Sequence, residues 1–297
     1  MIRCLLVGLI FIISISSVSA QPAPNVVVSI RPIHSIVSAL MEGVSEPRLL
    51  LDSNESAHTF HLKPSQLKLL SNADLLITIG DSFESGLSKV IRNIDQNYRL
   101  NLSEIKELQI YDFRDHNEIE HDEHDEHDKD LHLWLDVGNV QIIAEKIKQK
   151  LIEINPSNKE QYNTNYLELK SKLNQLEEKI QFQLEPIKST PFAIYADILQ
   201  YFEKNFDLNK PVIIAPYHGA RLSINRVIKA KNKMKNQKTR CLIYGSENTS
   251  KQINVLTEGL DIKAHSVDIL GVKLEPGSEQ YFDLMKEISN QLASCLE

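Results

Sequence analysis

SNKEQYNTNYLELKSKLNQLEEKIQFQL, residues Ser157 to Leu184, decides how the rest of the chain is divided. It follows a stop at Asn155-Pro156 and is polar over most of its circumference. Leu169, Leu173, Leu176, Ile180 and Leu184 recur in it at spacings of 4, 3, 4 and 4. That spacing lays one apolar stripe along a helix. At 1.5 Å per residue such a helix runs about 40 Å, longer than either flanking segment needs for its own core. A coiled coil is the rival reading, but the stripe is too short and irregular to prefer it. The stretch reads as a helix connecting two lobes.

On both sides of it, short β-branched runs alternate with helical patterns, as βα units of a parallel sheet do. Before it the expected strands are Val26 to Ile30, Arg48 to Leu51, Leu75 to Ile79 and Leu108 to Tyr111, with helices at Ile33 to Met41, Pro64 to Asn72 and Ser82 to Asn93. After it the expected strands are Phe192 to Tyr195, Val212 to Ala215, Cys241 to Tyr244 and Ala264 to Val267. Helices follow at Ile198 to Asn205, Ser223 to Lys235, Lys251 to Gly259 and Ser278 to Cys295. The fold class is therefore α/β: two lobes, each a mainly parallel sheet with flanking helices. The expected division is 1–20 signal peptide, 21–154 N-terminal lobe, 155–185 linking helix and 186–297 C-terminal lobe.

The 297 residues are 42% hydrophobic and 25% charged, globular proportions that suffice for two cores. The formal charge of −7 argues against a nucleic-acid partner, which demands clustered positive charge. Asp112 to Asp130 holds ten acids and two bases, so the remainder of the chain is close to neutral. His116, His121, His124, His127 and His132 lie in or beside that same segment. The run DHNEIEHDEHDEHDKD, from Asp115 to Asp130, has almost nothing apolar to bury and is expected to be a mobile loop. Imidazoles every three residues, each beside carboxylates, suit borderline divalent ions such as Zn²⁺, Cu²⁺ or Ni²⁺. The segment predicts weak, multiple and exchangeable metal binding at His116, His121, His124 and His127, against the alternative of a merely solvated acidic loop.

Arg3, the apolar run Leu5 to Ile15 and Val18-Ser19-Ala20 form a secretory signal, with the mature protein expected to begin near Gln21. About eleven apolar residues are too few to span a bilayer, which takes about 20. Cys4 precedes the apolar run, where a lipoprotein cysteine would follow it. An exported, periplasmic protein keeps two cysteines, Cys241 and Cys295, in a compartment that permits disulfides. Bonded, they would close a loop of about 55 residues worth about 4 kcal/mol; the alternative is two buried thiols. Two cysteines are too few for a thiolate zinc site.

Several segments together resemble the substrate-binding proteins of ABC transporters for zinc and manganese, the ZnuA group in particular. They are Ser29-Ile30-Arg31-Pro32-Ile33-His34, Ser56-Ala57-His58-Thr59-Phe60, Leu62-Lys63-Pro64-Ser65, Asn72-Ala73-Asp74-Leu75, His132-Leu133-Trp134-Leu135, Tyr201-Phe202-Glu203-Lys204, Asp268-Ile269-Leu270-Gly271 and Ala293-Ser294-Cys295-Leu296. Their order and spacing carry the resemblance, from about Asn25 to the end. It implies two α/β lobes joined by a rigid helix, a metal held between them, and a disulfide between Cys241 and Cys295. Carried across residue by residue, the implied ligands are His58 and His132 from the first lobe and Asp268 from the second. Imidazole nitrogen and carboxylate oxygen suit Zn²⁺.

The resemblance fails at one ligand. Zinc-binding members place a histidine five residues before the Tyr-Phe-Glu-Lys run, where this chain has Ala196, followed by Asp197; manganese-binding members use glutamate there. Tyr195, His61, His34, His218 and a histidine of the acidic loop are the candidates to compensate. For Tyr195, the neighbouring strand position turns the side chain to the other face. For His34, His61 and His218 a hydrogen-bonded structural role is the favoured alternative.

The sequence thus reads as a periplasmic receptor, a monomer and not an enzyme. It is expected to capture Zn²⁺ as cargo between two lobes and deliver it to an ABC-transporter membrane permease. Three other readings stand beside it. A Mn²⁺ or Fe²⁺ receptor would follow from the missing imidazole. A metal buffer or adhesin uncoupled from transport would bind through the loop alone. A metallohydrolase would use an open zinc position, with Asp197 as the only evident general base.

Overall fold

Consecutive apolar residues, instead of alternating ones, form the interior strands of two parallel sheets, as expected where both sheet faces are covered by helices. The computed structural model describes residues 22–51, 62–114, 129–215 and 222–297. In the first lobe β1 (Val26–Val28), β2 (Arg48–Leu49), β3 (Leu75–Thr78) and β4 (Arg99–Asn101) form a parallel sheet in the order β2-β1-β3-β4. Val26–Val28 and Leu75–Thr78, its two central strands, are buried throughout. In the second lobe β7 (Phe192–Ala196), β8 (Val212–Ala215), β9 (Cys241–Gly245) and β10 (Lys263–Val267) form a parallel sheet in the order β10-β9-β7-β8. Counted within each lobe, both sheets have the same order, with the third strand returning beside the first. Between them β5 (Tyr111–Asp112) and β6 (Lys129–Asp130) make a separate antiparallel ribbon.

Helices α1 (Arg31–Leu40), α2 (Pro64–Ser71), α3 (Ser88–Ile91), α4 (Val137–Ile154), α5 (Lys159–Leu184), α6 (Gln200–Asn205), α7 (Ile224–Asn236), α8 (Ser250–Thr257) and α9 (Gln280–Leu296) complete the described fold. The connector, α5, is a 26-residue helix whose buried face is Tyr162, Asn165, Leu169, Leu173, Leu176, Ile180 and Leu184. Asn165 Nδ2 donates to the carbonyls of Leu40 (2.9 Å) and Glu42 (2.8 Å), closing the C-terminal end of α1. Helix α5 packs on α1, α4 and α9.

Helix α9 also joins the lobes. It lies on β9 and β10 and on α1. Ser35 Oγ accepts from the Tyr281 amide (2.9 Å) and donates to the Ser278 carbonyl (3.1 Å), and Arg31 Nη1 donates to the Leu274 carbonyl (3.1 Å). The Cys241–Cys295 disulfide forms, with Cα atoms 5.4 Å apart, and fastens α9 to the strand beneath it. No helix among the described residues is long and apolar enough to cross a membrane.

Two expectations are corrected, and one helix was not foreseen. Leu108 to Tyr111 is not a sheet strand: the Gln109 amide donates to Asn139 Oδ1 (3.0 Å), and only Tyr111 enters the ribbon. The fourth strand is instead Arg99–Asn101, whose polar ends belong to a sheet edge. Within Ser82 to Asn93 only Ser88–Ile91 is helical, because the Glu84 carboxylate accepts the Ile79 (2.9 Å) and Gly80 (2.8 Å) amides and leads the chain in as turns. Helix α4 was not foreseen, although Asp136 caps it by accepting from the Asn139 amide (2.9 Å).

Candidate metal centre

His132 sits at the end of the ribbon, followed by a single 3₁₀ turn, Leu133–Leu135. It is 4% exposed. Its Nδ1 lies 2.7 Å from Asp130 Oδ1, which also accepts the His132 amide at 3.0 Å. An ionised carboxylate can only accept, so in the neutral imidazole Nδ1 carries the proton and Nε2 the lone pair. That is the arrangement by which a carboxylate prepares a histidine to bind a metal. Burial pushes the Asp130 carboxyl up, but His132 and Gln200 outweigh it and hold the group below the usual carboxylate range. Phe83 and Trp134 stand edge-on to the ring, with centroids 5.8 and 5.4 Å away.

Asp268 follows β10 at the mouth of the second sheet. Its Oδ1 accepts from the Leu270 (3.0 Å) and Gly271 (2.9 Å) amides and its Oδ2 from Val272 (2.7 Å). These bonds fix the carboxylate at the head of the loop. They leave lone pairs on both oxygens, since each can accept more than one partner. The two segments meet: Trp134 Nε1 donates to the Ile269 carbonyl at 2.8 Å, and Tyr281 Oη donates to the Trp134 carbonyl at 2.9 Å. His132 and Asp268 therefore lie two residues and one residue from the same hydrogen bond.

Not every expected ligand can be placed. His58, His61, His218, His116, His121, His124 and His127 fall outside the described residues. Among the described residues no group of three or more histidine, cysteine, aspartate or glutamate side chains converges on a metal position. His34 is buried in α1 with Nε2 3.2 Å from the Pro47 carbonyl, the structural role expected for it. Tyr195 Oη accepts from Gln252 Nε2 (3.4 Å), and burial, aided by the Glu247 charge, raises its pKa. A neutral phenol of that kind is no substitute ligand.

Beside Ala196 the carboxylate of Asp197 is engaged by a residue not foreseen. Arg114, beside the ribbon, grips Asp197 through Nε (2.8 Å to Oδ2) and Nη2, and Glu203 through Nη1 (2.6 Å to Oε2) and Nη2 (3.1 Å to Oε1). The side chains are 12%, 1% and 4% exposed respectively. Burial would lower the arginine pKa, but Asp197 and Glu203 raise it and keep the guanidinium charged. Burial pushes Glu203 up to about 7 despite Arg114, with Asp197 and Asp130 adding to the rise. Asp197, read as a general base, is instead a salt-bridge partner, with both its oxygens bonded to Arg114.

Helix α6 supplies the remaining contacts. Gln200 Nε2 donates to Asp130 Oδ2 (3.2 Å) and to the Asp112 carbonyl (3.0 Å). Tyr201 Oη donates to the Asp130 carbonyl (2.6 Å) and accepts from the Tyr111 amide (3.2 Å). In the sequence Tyr201 stood out only as part of the Tyr-Phe-Glu-Lys run, and Gln200 only as a member of the expected helix Ile198 to Asn205.

Two parallel α/β lobes bridged by one long helix, with a carboxylate-oriented imidazole beside the inter-lobe contact, define a helix-linked substrate-binding protein. The family model described as zinc-uptake complex component A, periplasmic, matches residues 26–295, and the chain belongs to that family. The high-affinity zinc uptake system protein ZnuA of Brucella abortus (strain 2308) is 30% identical over 305 aligned residues, covering 92% of this chain and 91% of that protein. A ZnuA deletion mutant crystallised with zinc bound has a similar fold, with a TM-score of 0.77 at 19% identity over 93% of this chain and 98% of that one. The Mn-bound periplasmic metal binding protein of candidatus liberibacter asiaticus gives 0.77 at 18% identity over 92% and 100%. Proteins of this family are periplasmic binding components of ABC transporters, not enzymes.

Proposed function

We propose that the protein captures Zn²⁺ between its lobes and delivers it to the membrane permease of an ABC transporter. His58, His132 and Asp268 are the proposed ligands. The observation that carries this reading is the buried Asp130–His132 pair, 2.7 Å apart, which orients one imidazole before any metal arrives. Family membership and the zinc-uptake role named for the Brucella relative support zinc as cargo. The acidic segment, with His116, His121, His124 and His127, raises the local metal concentration or senses occupancy. In this reading residues 1–20 are cleaved, the mature protein works in the periplasm as a monomer, and 155–185 is the rigid hinge between lobes 21–154 and 186–297. Such a hinge favours small domain motions, so release requires the permease to distort the site.

A second reading, a Mn²⁺ or Fe²⁺ receptor, has two observations behind it: Ala196 stands where zinc-binding members have an imidazole, and a protein of similar fold carries Mn. Calorimetric titration decides between the readings. The mature protein, a variant lacking 115–128 and the His58→Ala/His132→Ala variant are each titrated with Zn²⁺ and Mn²⁺. A tight one-to-one zinc site that survives loop deletion and disappears in the double variant is expected. Binding that is weak, multiple and lost with the loop would sink the receptor reading.

A further inference from the structure

His132 is oriented by a carboxylate, and that carboxylate is held from the opposite lobe. Asp130 is fully buried. Its Oδ1 serves the His132 ring and amide, and its Oδ2 receives Gln200 of α6 at 3.2 Å. Both amide hydrogens of Gln200 Nε2 are spent on the ribbon, one on Asp130 and one on Asp112. Tyr201, next in α6, bonds the Asp130 carbonyl and the Tyr111 amide, touching both ribbon strands. Lys204, one turn on, lies over the Tyr111 ring, 3.5 Å from its centroid. The ribbon is thus docked on α6, which follows β7 of the second sheet, while His132 is the proposed ligand of the first lobe.

From this geometry we infer that Gln200 and Tyr201 are positioning residues for metal binding: from the second lobe they hold Asp130 so that it fixes the His132 imidazole. The inference rests on the reading of His132 as a ligand. It has a mechanical consequence. Displacing α6 from the ribbon withdraws the support of Asp130, so a permease that moves the second lobe loosens a first-lobe ligand without touching it. Outer partners of metal-binding histidines commonly control affinity ten- to a hundredfold.

The test uses full mature protein carrying Gln200→Leu or Tyr201→Phe, with Asp130→Asn and His132→Ala as references. Zinc affinity is measured by competition with a chelator, and the His132 tautomer of metal-free protein at pH 8 by long-range ¹H–¹⁵N NMR. Gln200→Leu is expected to weaken zinc about tenfold and to convert a single Nδ1–H tautomer into a mixture. Tyr201→Phe keeps the buried ring and is expected to shift the tautomer in the same sense. Unchanged affinity and tautomer in both variants, with only a lowered melting temperature, would overturn the inference and leave α6 a packing element. The His132→Ala arm separates the two levels. Binding untouched there removes the ligand reading and this inference with it. Binding lost there but intact in Gln200→Leu overturns the inference alone.

Discussion

Replacing Arg114 by methionine has a calculable and pH-dependent effect. Methionine keeps the aliphatic length and removes the charge that two buried carboxylates share, Asp197 at 1% and Glu203 at 4% side-chain exposure. Breaking a buried ion pair from one side costs about 3–5 kcal/mol, because the partner charge stays in the interior. The cost depends on pH in a definite direction. Glu203 already titrates at about 7 in the folded protein against an ordinary 4.5, so its folded pKa is raised. A raised carboxyl contributes stability that is full below about 4.5 and is lost as pH climbs through the folded value. Without Arg114 that value rises further, so the loss grows with pH. Urea unfolding followed by the fluorescence of buried Trp134 reads it directly: near 3–5 kcal/mol at pH 8 and clearly less at pH 5.5. Adding Glu203→Gln should restore part of the loss at pH 8. A cost below about 1 kcal/mol at pH 8, the range of an exposed pair, or equal costs at both pH values, refutes the argument.

Other consequences are as concrete. Serine at both Cys241 and Cys295 opens a 54-residue separation, and unfolding should become easier by about 4 kcal/mol in the loop-entropy model, a loss the wild type copies when reductant is added. Burial pushes Glu84 up to about 7 although Gly80, Ser29 and Ile79 bond it, so wild-type stability should fall as pH rises from about 4.5 through 7. Glu84→Gln should flatten that part of the profile in pH-dependent urea melts; an unchanged slope would count against it. Tyr281→Phe strands the Trp134 carbonyl in the inter-lobe contact and should cost about 1–3 kcal/mol by the same assay.

The two-lobed α/β fold was legible because its decisive signals are local. The stripe Leu169, Leu173, Leu176, Ile180 and Leu184 is buried along α5 as its spacing implied. Most strands were found from unbroken apolar runs, the edge strand Val212–Ala215 to the residue. Edge strand β4 was missed since Arg-Leu-Asn has one apolar residue and its place is set by pairing with β3, a long-range contact that leaves no local pattern. Phe83, Leu87 and Ile91 do recur at helical spacing and are buried, but Glu84 spends its carboxylate on backbone amides, so most of that span turns without forming a helix. At the site, the family resemblance named His132 and Asp268 as candidate ligands, whereas Arg114 and Gln200 act across 83 and 70 residues on carboxylates, a long-range placement that leaves no local pattern. Ala196 was visible as a departure; that Arg114 closes the neighbouring Asp197 was not.

The central claim is that metal sits between the lobes on His132, His58 and Asp268. Anomalous diffraction at the zinc edge from crystals of the zinc-loaded mature protein tests it most directly. The account predicts one strong peak about 2.0–2.2 Å from an imidazole nitrogen of His132 and of His58 and from an Asp268 carboxylate oxygen. Peaks confined to the acidic segment, with His132 and Asp268 bonded only to protein, would contradict it.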